Sequence, residues 1–293
     1  MRIAIYGRTY KKDFIPYINL IFSKLNEYNA KVLIYKSFYE FATNNGLREQ
    51  KDISFFTRHE DFDLKVDFFI SIGGDGTFLE SVQYVREENI PIIGINSGRL
   101  GFLANIAREE IELSLTALFN GSFSLDERTL IKLDDSKNSS FGNFNYALNE
   151  VTIQKTDSAM ITINTYLNDE YLNAYWTDGL IISTPTGSTA YSLSVGGPIL
   201  TPDSCNFVIS PIASHNLTVR PIVVPDSYLL KLNVKSRNNK FLATLDSRVQ
   251  EFTCDTELFV TLAGFTIKMI KIDSNSFYST IRNKLMWGID KRN

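Results

Sequence analysis

Gly73-Gly74-Asp75-Gly76-Thr77 joins an apolar run, Val66 to Ile72, to a segment with helical spacing. Glycines at such a junction let a backbone come close to a phosphate, and the free N–H groups of the following helix face the anion. Asp75 is the odd member, because a carboxylate repels the phosphates the loop attracts. It makes sense if it binds a divalent cation or takes the proton of an attacking hydroxyl. Asp-Gly is also an ordinary turn dipeptide, so a plain turn is the competing reading. The pentapeptide is neither a Walker A loop nor a Gly-x-Gly-x-x-Gly fingerprint.

Three further places carry chemistry. Gly94-Ile95-Asn96-Ser97-Gly98-Arg99-Leu100-Gly101-Phe102-Leu103 lies at the carboxyl end of the next apolar run, where open α/β sheets bind ligands. Arg99 could meet a phosphate there; a structural loop with a surface arginine reads equally well. Asn149-Glu150 interrupts the apolar Ala147-Leu148 and Val151, so the pair must reach water or find buried partners. An amide beside a carboxylate can bind a ribose diol or an adenine edge; the alternative is a strand end facing water. The last cluster runs from Asp178-Gly179 through Thr184-Pro185-Thr186-Gly187-Ser188-Thr189-Ala190-Tyr191-Ser192 to Gly196-Gly197-Pro198. It can form a polar pocket walled by Tyr191, or simply cap a short helix.

The elements that must position these residues change character near residue 122. Before it, a first strand (Met1 to Gly7) precedes an amphipathic helix carrying Phe14, Ile18, Ile21, Phe22 and Leu25. Lys31 to Tyr35 is a second strand, and Phe38 and Phe41 mark another helix. The strand Val66 to Ile72 leads to a helix from Thr77 to about Val85. Pro91 to Ile95 is the next strand, and a helix from about Arg108 to Phe119 ends at Gly121. Strands alternating with helices predict βαβ units and a mostly parallel sheet. After it come short, often alternating runs: Phe123 to Leu125, Leu130 to Leu133, Thr152 to Gln154, Met160 to Asn164, Leu180 to Ser183, Tyr228 to Val234 and Leu258 to Leu262. Asn168-Asp169 is a tight-turn signal and Asp134 to Asn143 a polar loop. This half reads as a separate all-β domain. The segment Phe277 to Trp287 returns to helical spacing. The expected division is 1–121, with 277–293 returning to it, and 122–276.

Composition bounds the partners. The 293 residues hold 30 Lys plus Arg against 33 Asp plus Glu, a net charge of −3, which argues against nucleic acid. Two cysteines, Cys205 and Cys254, fit no disulfide framework and no zinc spacing, and two histidines exclude a His-rich metal site. No apolar run approaches the ~20 residues of a membrane span, and no signal sequence precedes the first strand. A cytoplasmic protein, with no membrane partner and no protein metal site, is expected.

Taken together, Gly73 to Leu79, the Gly-Ile-Asn-x-Gly-x-Leu-Gly-Phe-Leu run, Asn149-Glu150 and Asp178 through Pro198 resemble the NAD kinase family in order and spacing. Pro211 to Pro221 is similar too, so the resemblance runs from Met1 to about residue 270. Gly-Gly-Asp-Gly alone is shared with diacylglycerol, sphingosine and phosphofructokinase relatives; Thr-Pro-Thr-Gly-Ser-Thr-Ala-Tyr is far more specific. The resemblance implies a Rossmann-like amino-terminal domain, a β-sandwich domain and an NAD site in the cleft between them. It implies transfer of the γ-phosphoryl group of ATP to the 2′-hydroxyl of the adenosine ribose of NAD, with a divalent cation such as Mg²⁺, giving NADP. By that resemblance Asp75 is the proton acceptor and also touches NAD with Gly76, while Gly73, Gly74, Gly76 and Thr77 shape the phosphate loop. Asn149 and Glu150 hold the adenosine ribose, and Thr186, Gly187, Ser188, Thr189, Ala190 and Tyr191 line the adenine pocket. Asp178 faces the nicotinamide end, with Trp176 where many members place a basic residue; Arg99 and Phe102 are further candidates. A homodimer or homotetramer is implied. At Leu245-Asp246-Ser247-Arg248 the family usually has Asp-Gly, and Ser247 bears on the tightness of that turn. The alternatives are a lipid or sugar kinase using the same loop, and a non-catalytic dinucleotide sensor. The polar stretch Thr186 to Tyr191 argues against a lipid acceptor, and Asp75 against a sensor.

Overall fold

Helix α1 (Ile15–Glu27) forms where apolar residues recur at helical spacing behind Pro16, and it buries Ile18, Ile21, Phe22 and Leu25. Each such side chain contributes roughly 1.5–3 kcal/mol on leaving water. Asn29, in the left-handed region (φ 50°), ends the helix, and the next N–H, that of Ala30, returns to the Leu25 carbonyl. The same logic repeats along the first part of the chain in a computed structural model that describes residues 1–48, 52–62, 65–137, 141–272 and 276–288. Residues 138–140 of the expected polar loop, and 289–293 of the expected returning segment, lie outside the described residues. Strands β1 (Arg2–Gly7), β2 (Lys31–Tyr35), β3 (Ile53–Phe56), β4 (Phe68–Gly73) and β5 (Ile92–Asn96) form a parallel sheet in the order β5-β4-β1-β2-β3. Their crossovers carry α1, α2 (Lys36–Asn44), α3 (Asp75–Val85) and, after β5, α4 (Ile111–Phe119). Val66 lies before β4 rather than in it, and a 3-10 turn at Arg108–Glu110 precedes α4. Gly121 caps α4 with φ 70°.

The second part is antiparallel. Its strands are β6 (Ser124–Asp135), β7 (Tyr146–Ala147), β8 (Glu150–Lys155), β9 (Ile161–Leu167), β10 (Glu170–Thr177), β11 (Gly179–Ser183), β12 (Asn206–Ile212), β13 (Ile222–Pro225), β14 (Leu230–Lys235), β15 (Lys240–Leu245), β16 (Arg248–Thr253) and β17 (Glu257–Lys271). One layer runs β10-β9-β14-β17 and the other β13-β12-β11-β8-β15-β16. Between them lie Ile153, Leu180, Phe207, Leu232 and Phe241, all fully buried, which is the core of a sandwich. Asn168 and Asp169 both take positive φ (48° and 66°) in the two-residue turn between β9 and β10.

Two compact units result: Met1–Glu127 with Ile267–Asn293, and Arg128–Thr266. Both limits fall inside strands, β6 and β17, so residues 122–127 and 267–276 count with the first unit. The short α5 (Tyr191–Ser194) belongs to the second unit and α6 (Phe277–Leu285) to the first. Among the described residues no helix is long and apolar enough to cross a membrane.

Candidate active site

In the first unit, α3 begins at Asp75, so the carboxylate stands in the helix's first turn rather than in a loop ahead of it. Gly74 is the N-cap, with extended backbone. Both carboxylate oxygens turn toward the loop after β5. Oδ1 accepts the N–H groups of Leu103 (2.9 Å) and Ala104 (3.0 Å), and Oδ2 accepts that of Phe102 (2.9 Å). A fourth donor, Lys284 Nζ, is 3.4 Å from Oδ2. Asn96 holds this loop in shape: its amide donates to the Arg99 (2.7 Å) and Ala104 (3.3 Å) carbonyls, and its oxygen accepts the Gly98 N–H at 2.6 Å. Gly101 makes the approach possible, since a Cβ there would lie 1.8 Å from Asp75 Oδ1.

The other glycines divide into two kinds. A Cβ on Gly73 would meet Thr77 Oγ1 at 2.2 Å, so that glycine serves packing. Cβ atoms on Gly74 and Gly76 would meet nothing within 4 Å, and neither residue has positive φ. Neither packing nor backbone strain therefore requires glycine there; close approach by a ligand would. Arg99 is exposed and gives its carbonyl to the Asn96 latch. Phe102 is half-buried, with the Lys284 ammonium 4.5 Å from its ring centroid.

A resident divalent cation does not fit this donor set. Asp75 meets N–H donors and an ammonium, and among the described residues no three Asp, Glu, His or Cys side chains cluster to hold a metal. Of the two roles that would explain a carboxylate in a phosphate loop, cation ligand and proton acceptor, the first is the one this geometry disfavours.

In the second unit, Asn149 and Glu150 are buried at the start of β8. Their backbone is anchored by Asp246, whose Oδ1 accepts the Asn149 (2.8 Å) and Glu150 (3.3 Å) N–H groups and whose Oδ2 accepts that of Leu148 (3.0 Å). Asp246 takes φ 52° in the β15–β16 turn, where Leu245 pairs with Arg248. The left-handed position falls on Asp246 and not on Ser247, so the turn is tight without the glycine. Burial, and secondarily the charge of Asp246, pushes the Glu150 carboxyl up to about 8 against a hydrogen bond from the Tyr191 N–H. Burial also raises Asp246 despite its three amide donors. Glu150 Oε2 is buried with no hydrogen-bond partner among the described residues.

Thr186 to Thr189 form a 3-10 turn packed on this strand start; a Cβ on Gly187 would lie 2.1 Å from the Asn149 carbonyl oxygen. The hydroxyls here are largely committed to the chain. Ser188 is fully buried, donating to the Pro185 carbonyl and accepting the Leu200 N–H, and Thr189 donates to the Thr186 carbonyl. Ala190 leads into Tyr191, which is 38% exposed, and the Gln154 amide donates to its phenol oxygen at 3.4 Å. Asp178 directly precedes β11, five residues or about 16 Å from Ser183 and its partner Glu150, and Trp176 lies near the end of β10 just before it. There Lys155 Nζ meets Asp178 at 2.6 Å, and the Trp176 and His215 rings approach at 4.7 Å.

Against known proteins, residues 4–123 match the family described as ATP-NAD kinase N-terminal domain, and residues 148–272 match ATP-NAD kinase C-terminal domain. The chain belongs to the ATP-NAD kinase family. It is 45% identical to an NAD kinase of Cytophaga hutchinsonii and 46% identical to one of Flavobacterium johnsoniae, each over the whole of both chains. Its reaction is that of an NAD kinase, ATP-dependent formation of NADP. In fold it is similar to a yeast NADH kinase solved with NADH (TM-score 0.87, 21% identity, 99% of this chain and 89% of that one). It is also similar to an Archaeoglobus fulgidus NAD kinase solved with ATP (TM-score 0.75, 22% identity, 98% of each).

Four residues of this kinase that touch candidate groups lie outside the candidate site motifs. Arg128, buried, donates to Thr186 Oγ1 at 3.3 Å. Lys155 pairs with Asp178, Asp246 anchors the Asn149 strand, and Lys284 reaches Asp75. Asp246 had a local signal in the Leu245–Arg248 turn, and Lys284 another: it falls three residues after Ile281 and seven after Phe277, in line with the apolar residues of α6.

Proposed function

We propose that the kinase transfers the γ-phosphoryl group of ATP to the 2′-hydroxyl of the adenosine ribose of NAD, with Asp75 as proton acceptor. The O2′–P bond forms as the bond from Pγ to the β,γ-bridging oxygen breaks. The hydroxyl proton passes to Asp75 Oδ2, and the bond's electron pair leaves with ADP. Such a transition state is loose, so positioning and charge stabilisation do most of the catalysis, and a fixed carboxylate is an adequate base. The observation that carries this reading is Asp75 itself, held by three backbone N–H groups beside two glycines that face open space. The divalent cation enters with the ATP phosphates, as part of that substrate. In the second unit Asn149 and Glu150 bind the ribose, and Gly187 and Tyr191 bound the adenine. Asp178 and Trp176 serve the nicotinamide half; the length of β11 that separates Asp178 from Glu150 supports binding of a two-part ligand. The exposed edge strand β13, with Ile222, Val223 and the nearby Leu217 at 86% exposure, supports a homodimer or homotetramer. The two unpaired cysteines suit a reducing, cytoplasmic setting.

The test is steady-state kinetics of Asp75→Asn with NAD varied at saturating ATP and Mg²⁺. The turnover number should fall by about 10²–10⁴ with little change in KM for NAD. Near-normal turnover would reduce Gly73 to Thr77 to a phosphate-binding turn.

A further inference from the structure

Asp75 has one displaceable partner. A carboxylate offers about four lone-pair sites, two on each oxygen. Oδ1 is filled by the Leu103 and Ala104 N–H groups, and Oδ2 is shared by the Phe102 N–H and the Lys284 ammonium. The three N–H groups belong to a loop latched by Asn96 and closed against Gly101, so they cannot leave without unmaking it. The ammonium is different. It sits at 3.4 Å on a flexible stem, both side chains are about one-third exposed, and such a contact is weak in water. An acceptor hydroxyl that gives its proton to Oδ2 takes the place of Lys284.

The displaced charge does not drift away. Phe102 carries the ammonium over its ring at 4.5 Å, and the same ring packs near Phe277 of α6 at 6.5 Å. Helix α6 is itself fixed, with Ser276 capping it through the Ser279 N–H and Ile281 buried. Lys284 is thus a cation tethered beside the base, next to the α3 amino end and the two open glycines.

We propose that Lys284 is a catalytic residue of the phosphoryl transfer: it occupies Asp75 Oδ2 until the acceptor hydroxyl arrives, then passes to the phosphoryl oxygens of the substrate. This rests on Asp75 being the proton acceptor. It also answers the charge problem of the loop, since the carboxylate brings its own counter-charge to the phosphates.

The experiment compares Lys284→Met, Lys284→Arg and Lys284→Ala with ethylammonium added. Lys284→Met should lower the turnover number by about 10²-fold, the usual effect of removing one transition-state donor. KM for NAD should change less than threefold. Lys284→Arg should keep at least a tenth of the activity, and ethylammonium should restore Lys284→Ala saturably. Turnover within twofold in Lys284→Met overturns the proposal. So does a loss that neither arginine nor ethylammonium repairs, which is the signature of packing alone. Asp75→Asn, run beside them, separates the two readings: lost turnover there with full activity in Lys284→Met removes only the lysine's role.

Discussion

Two carboxyl groups, one in each unit, are kept in opposite surroundings. Asp75 meets four donors and remains about one-third exposed. Glu150 is buried beside a second buried carboxyl group, Asp246, and one of its oxygens has no hydrogen-bond partner among the described residues. A donor-rich, accessible carboxylate suits work on a substrate proton. A donor-poor, buried carboxyl is a cost to the fold that a bound hydroxyl or amino group would offset. Under the proposed function, the difference fits chemistry in the first unit and substrate choice in the second.

Apart from Asp75 itself, the largest expected effect that would break this division is at Gly101. Gly101→Ala places a methyl group where Asp75 Oδ1 stands, so loop and carboxylate must separate. Turnover should fall about 10²-fold, as for a misplaced catalytic group, and stability by about 2 kcal/mol in denaturant titrations. A fully active, fully stable variant would show that the Asp75–loop contact does not matter. In the second unit, Tyr191→Ala should weaken NAD binding by about 1–3 kcal/mol, by analogy with base–aromatic stacking. ATP affinity should stay nearly unchanged in the same titrations; an equal loss for both nucleotides contradicts the assignment of roles.

The smallest effect sharpens the contrast. Glu150 keeps its proton to about pH 8 in the folded chain but loses it near 4.5 when unfolded. Between those values the folded state binds more protons, so stability is fully present below 4.5 and is lost as pH rises through 8. Asp246 shifts in the same direction. Glu150→Gln in the ligand-free protein should flatten that slope and leave it about 1–2 kcal/mol more stable than the wild type at pH 9. Parallel melting curves for the two proteins from pH 6 to 9 would mean Glu150 is not the buried acid described.

The sequence carries the parts of this arrangement that are local. Helix α1 was legible because Ile18, Ile21, Phe22 and Leu25 share one face, and the β9–β10 turn because Asn168-Asp169 tolerate positive φ. Helix α3 is less so: Gly74 and Gly76 mask its start, and Asp75 reads as a loop residue when it is the first helical one. Contacts between distant residues leave no local trace. Lys284 and Asp75 are 209 positions apart, Asp246 and Leu148 98, and Arg128 and Thr186 58. Strand β17 extends nine residues beyond Leu262 because its carboxyl end pairs in parallel with β5, Met269 opposite Ile92, a partner that no pattern within 258–271 names. Ser247 misleads in the other direction, since the strained position of that turn is its neighbour.

The central claim is that Asp75 acts on the acceptor proton while the second unit holds the acceptor. It is tested most directly by measuring NAD affinity calorimetrically and turnover kinetically on one preparation of Asp75→Asn. The account predicts NAD affinity within about threefold of the wild type alongside a turnover number reduced at least 10²-fold. Turnover preserved, or affinity and turnover lost together, would contradict it.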